Sequence, residues 1–159
     1  MGGVSKWIES VWGNVCERYR GMLASAVGRR GLIDVMLTAE GAEFMANQSE
    51  WGVGVPYDVL RNEFGRYING KYVYEDESGY TSECYVGAGF GVVQLRCTQT
   101  VFLGYVGDVS IGEGEFRRIV VDSMSEIRLT AAKGSRVRVY MAKGGYVDVE
   151  GEGKIEYEL

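Results

Sequence analysis

Histidine is missing from all 159 residues, and that absence narrows the chemistry more than any other feature of the composition. Histidine is the usual general base near neutral pH and the commonest protein ligand for zinc, copper and non-haem iron. Ser-His-Asp and Cys-His nucleophile systems are therefore out, together with HExxH, cupin-type and facial-triad metal sites. What remains is carboxylate, lysine, tyrosine or cysteine chemistry. Cysteine is also scarce: Cys16, Cys84 and Cys97 are an odd number without paired spacing. With no secretory apolar segment at the front, they predict synthesis in a reducing, cytoplasmic compartment. No apolar run approaches the roughly 18–20 residues of a membrane span, so no bilayer crossing is expected. Lys6 stands where an acylation signal beginning Met1-Gly2 wants Ser or Thr, so lipidation is not expected either.

What is present describes a folded chain. Apolar residues make up 46% and charged residues 25%, values of an ordinary globular domain. A chain of this length buries roughly 68–70% of its unfolded surface, enough for a core without disulfides or a structural metal. Charge is unevenly placed. Residues 1–30 carry Lys6, Arg18, Arg20, Arg29 and Arg30 against Glu9 and Glu17, whereas the remainder holds twelve basic and twenty acidic side chains. Nucleic-acid phosphates need a cationic stripe, so the acidic body predicts no nucleic-acid partner.

In the basic front, Trp7, Ile8, Val11, Trp12, Val15, Tyr19, Met22, Leu23, Ala26 and Val27 recur at the three-and-four spacing of one helical face. The spacing predicts a helix from about Ser5, a plausible N-cap, to Gly28, a plausible stop. Docking of this stripe on the protein's own core is the leading reading. Self-association through Trp7, Ile8, Val11, Trp12 and Val15, and contact with a membrane surface, are the alternatives. Thr38 is placed to cap a second short helix with Glu40 in its first turn, and Pro56 suits the first position of a third, through Tyr57, Leu60, Phe64 and Tyr67. The acidic run Glu75-Asp76-Glu77-Ser78-Gly79 reads as a surface turn. It lacks the alternating oxygens and closing Glu of a calcium loop.

From Tyr80 the texture changes to β-branched residues and glycines. Apolar pairs recur with one residue between them: Val93/Leu95, Val101/Leu103, Val109/Ile111, Ile119/Val121, Ile127/Leu129, Val137/Val139, Val147/Val149 and Ile155/Tyr157. Successive pairs are 8 or 10 residues apart, as short strands with two inward residues would be. The residues between them, expected to point outward, are Gln94, Phe102, Ser110, Val120, Arg128, Arg138, Asp148 and Glu156. A sequential meander would set Arg128 beside Arg138 and Asp148 near Glu156. A coil with two strands per turn, repeating at 18–20 residues, stacks Arg128 on Asp148 and Arg138 on Glu156, so that opposite charges meet. The charges therefore favour a solenoid or β-roll over a sandwich, barrel or meander.

Candidate sites are few. Gly87-Ala88-Gly89-Phe90-Gly91 leads into another strand-like run and not into a helix N-terminus, so it reads as a glycine-rich turn or bulge rather than a phosphate loop. Cys84 and Cys97 could approach across adjacent strands but make a poor zinc site, and core thiols are expected; Cys16 belongs to the helical stripe. Tyr72, Tyr74, Tyr80 and Tyr85 gather at the helix-to-strand transition with Glu75, Asp76 and Glu83. They are a candidate aromatic surface for a carbohydrate, set against the plainer reading that they cover the first strands. A glycosidase with two carboxylates is the first enzyme class to test, because it needs no histidine.

The stretch Leu37-Thr38-Ala39-Glu40-Gly41-Ala42-Glu43-Phe44-Met45, followed by Tyr67-Ile68-Asn69-Gly70 and repetitive short strands, resembles an uncharacterised group of proteins encoded in prophages and mobile elements of gut anaerobes. That group pairs a short helical lead with a strand-repeat tail, and the likeness covers residues 33–159 in outline. The resemblance implies an accessory role in a phage or mobile element, including incorporation into a particle, and supplies no catalytic or binding residue. The combined expectation is an α+β chain: a helical N-terminal third over residues 1–72 packed on a β-rich part over 73–159, a β-solenoid ahead of a sandwich or meander. The expected function is a non-catalytic structural or interaction protein without cofactor or metal, a homo-oligomer or the binder of a protein partner. A carbohydrate-binding module and a two-carboxylate glycosidase are the alternatives.

Overall fold

A computed structural model of the chain describes residues 17–38, 41, 70–75 and 81–158. Two helices come first, α1 (Glu17–Ser25) and α2 (Gly28–Met36). The helix expected to run unbroken to Gly28 is therefore corrected. α1 stops at Ser25, Val27 is extended, and Gly28, read as a stop, opens α2 at φ +68°. Glycine takes that left-handed conformation without a Cβ clash, so it can redirect the chain where another residue would be strained. Leu23 on α1 and Leu32, Ile33 and Met36 on α2 are buried. Thr38 closes this segment. Its Oγ1 donates to the Val35 carbonyl at 2.8 Å and accepts from Gly41 N–H at 3.2 Å, the latter being the N-cap contact expected of it. The expected helix after Pro56 lies outside the described residues, as do residues 76–79 of the acidic run.

The rest is strand: β1 (Gly70–Glu75), β2 (Thr81–Gln94), β3 (Gln99–Ile111), β4 (Phe116–Val121), β5 (Glu126–Ala131), β6 (Arg136–Met141), β7 (Tyr146–Glu150) and β8 (Lys154–Glu158). β1 lies antiparallel to β2; every later pairing is parallel. β3 is long enough to serve two rows. Its first half, Gln99–Phe102, pairs with β4, and its second half, Val106–Ile111, pairs with β5. From there the rows separate: β4, β6 and β8 form one, β5 and β7 the other. Ile119 sits beside Val139 and Leu129 beside Val149, twenty residues on, while Val139 sits beside Tyr157, eighteen on. The chain is thus a β-solenoid of about four turns, with two strands per coil and a sheet on either side.

The stacking of outward charges follows the register that the opposite-charge argument favours. Arg128 is paired with Asp148, and Arg138 with Glu156, whose Oε2 lies 3.7 Å from Arg138 Nε. Between the sheets, Val109, Ile111, Ile119, Val121, Ile127, Leu129, Ala131, Val137 and Val139 form one dry cluster. Burying each aliphatic side chain of this kind contributes roughly 1.5–3 kcal/mol.

One of the positions expected to point outward is corrected. Phe102 is fully buried in that cluster, paired with Val121, whereas Val101 and Leu103 are buried on the opposite face. The cause is a corner inside β3. Gly104, at φ +58°, turns the strand from one sheet into the other and shifts the alternation by one residue. Val120 does face outward but is buried as well, so this level of the first sheet is covered on both sides. Here Gln99 Nε2 donates to the Leu37 carbonyl at 3.4 Å, which ties the end of the helical segment to the outside of the solenoid.

The corner is held by the coil that follows. Asp122, fully buried, accepts Gly104 N–H at 3.0 Å on Oδ1 and 3.1 Å on Oδ2. Ser125 Oγ accepts Tyr105 N–H at 2.9 Å and donates to Asp122 Oδ1 at 2.6 Å. The glycine-rich stretch in β2 is the bulge expected of it, with the register against β3 slipping between Ala88 and Gly89.

Candidate functional site

The solenoid has two unlike ends. At the first coil, β1 covers the edge of β2 over residues 81–86, and among the described residues nothing pairs with that edge over 87–94. At the last coil, β7 pairs only with β5 and β8 only with β6, so among the described residues both present a bare edge of N–H and C=O groups. Val147, Val149 and Ile155 point into the core but are only partly buried, and Tyr157, in the same phase, is 53% exposed. Among the described residues they have an apolar neighbour behind them and no strand in front. Lys154, Glu156 and Glu158 line the outer side of β8, the kind of charges that discourage indiscriminate strand addition.

The outer faces of the two sheets also differ. On the β4–β6–β8 side, Arg136 and Lys154 are 3.1 and 3.3 Å from Glu156 Oε1, and Arg138 completes three cations around one carboxylate. Arg118 is held separately, through Nε and Nη2, by Glu158 at 3.0 and 2.9 Å. On the β5–β7 side the balance is reversed. Asp108, Glu126, Asp148 and Glu150 surround Arg128, whose Nε is 3.8 Å from Asp108 Oδ1. A shallow depression of about 230 Å³ lies there, bounded by Val106, Asp108, Glu126, Arg128, Tyr146 and Asp148. Next to it on β2, Phe90 is 89% exposed.

The ionisable groups have ordinary causes for their shifts. Hydrogen bonds from Arg136 and Lys154 hold the Glu156 carboxyl below the usual carboxylate range, the opposite of what a general acid needs. Burial pushes the Cys84 thiol up to about 12, with a smaller push from Cys97. Burial also raises Cys97, and Glu83 adds to it. Both are buried free thiols, as expected of core cysteines, and neither has the electropositive, accessible setting of a reactive one. Among the described residues no three of His, Cys, Asp and Glu gather as metal ligands, and no helix is long and apolar enough to cross a membrane.

The residues singled out in the sequence fare unevenly. Trp7, Ile8, Val11, Trp12 and Val15, the proposed docking or self-association face, lie outside the described residues, as does Tyr80. In the β1–β2 ladder Tyr72 sits opposite Cys84 and Tyr74 opposite Ser82, while Tyr85 sits opposite Lys71, one position out of step with them. Tyr85 is half-buried, and burial raises its pKa. The features that stand out on the structure are others: Phe90, Tyr146 and the two charged faces. Period-two alternation carried one residue beyond each apolar pair would have found Glu126, Arg136, Tyr146 and Lys154, since each flanks a pair on its outward phase.

Fold and surfaces together define the class: a short parallel β-solenoid of two sheets with a helical lead, its last coil bare at both strand edges among the described residues. Comparisons with protein-family models, with curated proteins and with solved structures find no match to this chain.

Proposed function

We propose that this chain is a non-catalytic structural protein, an accessory component of a phage or mobile element, that assembles with itself through the bare end of its solenoid. The observation that carries the reading is the last coil, with both strand edges unpaired and its inward residues half wet. Stacked repeats bury a continuous core only between neighbours, so a coil whose two edges are bare among the described residues is suited to association. Two edges face outward together there, one from each sheet, at the ~10 Å spacing of packed sheets. A lone peptide strand satisfies one of them, whereas the same end of a second copy satisfies both. The phage or mobile-element setting follows the resemblance of Leu37–Met45 and the strand-repeat tail.

The test is sedimentation velocity on the full chain over a range of concentrations, with V147K/Y157K as the comparison. Both residues are already partly exposed, so the lysines add little strain to the folded monomer. A wild-type oligomer that the double variant shifts to smaller species supports the reading. A wild-type chain that is monomeric at every concentration sinks it, and an oligomer indifferent to the variant moves the joint elsewhere.

A further inference from the structure

Resting on that reading of self-assembly, we infer a second contact between copies, made side to side. The arginine face of one solenoid, built on Arg136, Arg138 and Lys154, lies against the acidic face of the next, built on Asp108, Glu126, Asp148 and Glu150.

The inference starts from charge that the fold itself does not use. Arg136, Arg138 and Lys154 share the single carboxylate of Glu156, so two positive charges are in excess, and all three side chains are more than half exposed. On the opposite side, Arg128 is the one cation among four carboxylates, counted over the described residues. Glu126, Asp148 and Glu150 make no ion pair among the described residues, leaving an excess of three negative charges. Each face is a flat strand surface on which charges repeat every 4.7–4.9 Å or so along the stack and about 7 Å along a strand. The same lattice underlies both, because β6 and β8 in one sheet alternate with β5 and β7 in the other. A second copy therefore offers the complementary sign at the matching spacing. Long Arg and Lys side chains can cross the gap between two sheets packed face to face, and Tyr146 and Phe90 supply apolar area beside the acidic cluster.

The two faces are on opposite sides of one molecule, so the contact is heterologous. Each copy that docks leaves its own unused face open, and the contact propagates into a row instead of closing on a dimer. It also differs from end-to-end joining in what drives it. Exposed ion pairs are screened by salt, while backbone pairing and apolar burial at the bare end are much less so.

The experiment is sedimentation of the full chain at ionic strengths from about 0.01 to 1 M, where the screening length falls from roughly 30 to 3 Å. Two charge variants accompany it: R136E/R138E, which makes both faces acidic, and E126K/D148K, which makes both basic. All four positions are exposed on strand faces, and an unchanged melting curve confirms the fold of each. Higher-order species that dissolve with salt, vanish in each variant alone and return when the two variants are mixed support the lateral contact. Should a variant fail to fold, the salt titration of the wild type decides. Assembly that ignores salt and persists in both variants overturns the lateral contact but leaves end-to-end assembly standing. A mixture that does not reassociate overturns it equally. A chain monomeric under all conditions removes both. Low-salt monomers whose arginine face captures polyphosphate give that face another occupant, and the inference falls.

Discussion

Replacing Asp122 by alanine should cost far more than its single carboxyl group suggests. The residue sits in the turn between β4 and β5, yet what it satisfies is the coil before its own. Its oxygens accept Gly104 N–H, Met124 N–H and the Ser125 hydroxyl, and through Ser125 they also fix the acceptor of Tyr105 N–H. Two consecutive N–H groups at the corner of β3 therefore depend on this side chain. A hydrogen bond to a charged group contributes ~1.5–3 kcal/mol, and a buried donor left without an acceptor costs ~1–3 kcal/mol. These bonds form one network and do not add. The expected loss for Asp122→Ala is thus about 3–4 kcal/mol rather than the sum. Asp122→Asn, which keeps an acceptor at Oδ1, should fall between the alanine variant and the wild type. The control is Asp108→Ala on the outer face, where an exposed pair with Arg128 predicts a loss of less than ~1 kcal/mol. Urea titration followed by circular dichroism reads all three as midpoint shifts at constant slope. An Asp122→Ala midpoint no lower than that of Asp108→Ala would refute the idea that each coil satisfies the corner of the one before.

Other consequences of the interior can be measured in the same way. Thr100 points inward opposite Ile119, and its buried Oγ1 has no hydrogen-bond partner among the described residues. Thr100→Val should therefore stabilise by about 1 kcal/mol, raising Tm by ~2–4 °C; a lower Tm would mean that the hydroxyl is satisfied in solution. Burial raises the pKa values of Cys84, Cys97, Tyr85 and Tyr105, so the folded chain holds protons that the unfolded chain releases. The sign follows. For Cys84 the contribution is whole below the ordinary thiol value of 9.0 and is lost as pH rises towards about 12. Stability that stays flat across that window would contradict the burial. Cys84 should likewise resist a thiol reagent until the chain unfolds, and prompt modification of the folded protein would contradict it too.

Much of the solenoid was legible because it rests on two independent regularities. The apolar pairs gave the inward positions, and the charges between them chose among connectivities: only the coil register brings Arg128 to Asp148 and Arg138 to Glu156. The error at Phe102 shows where alternation loses its meaning. Val101-Phe102-Leu103 and Ile119-Val120-Val121 are runs of three apolar residues, with no polar member to mark an outside. Such runs belong to strands buried on both faces. Here the second face is covered at the level where Gln99 bonds to Leu37. The break between α1 and α2 was hidden for a related reason. Met22, Leu23, Ala26 and Val27 keep helical spacing up to Gly28, and a glycine in left-handed conformation ends one helix or begins another with equal ease.

The charged faces were harder to read, because they belong to no contiguous stretch. Arg136 and Lys154 become neighbours only through the eighteen-residue step from β6 to β8, and Glu126 meets Tyr146 only through the twenty-residue step from β5 to β7. Once the step is known, alternate half-coils sort themselves by sign. That sorting is not something the stack needs. Within a sheet, stability asks for opposite charges on neighbouring strands, which equal numbers on each face would provide. A surplus of cations on one face and of carboxylates on the other adds like-charge repulsion to both and benefits neither coil. The surplus is therefore what remains of the sequence after the fold has been accounted for, and that remainder is the ground for the lateral contact proposed between copies.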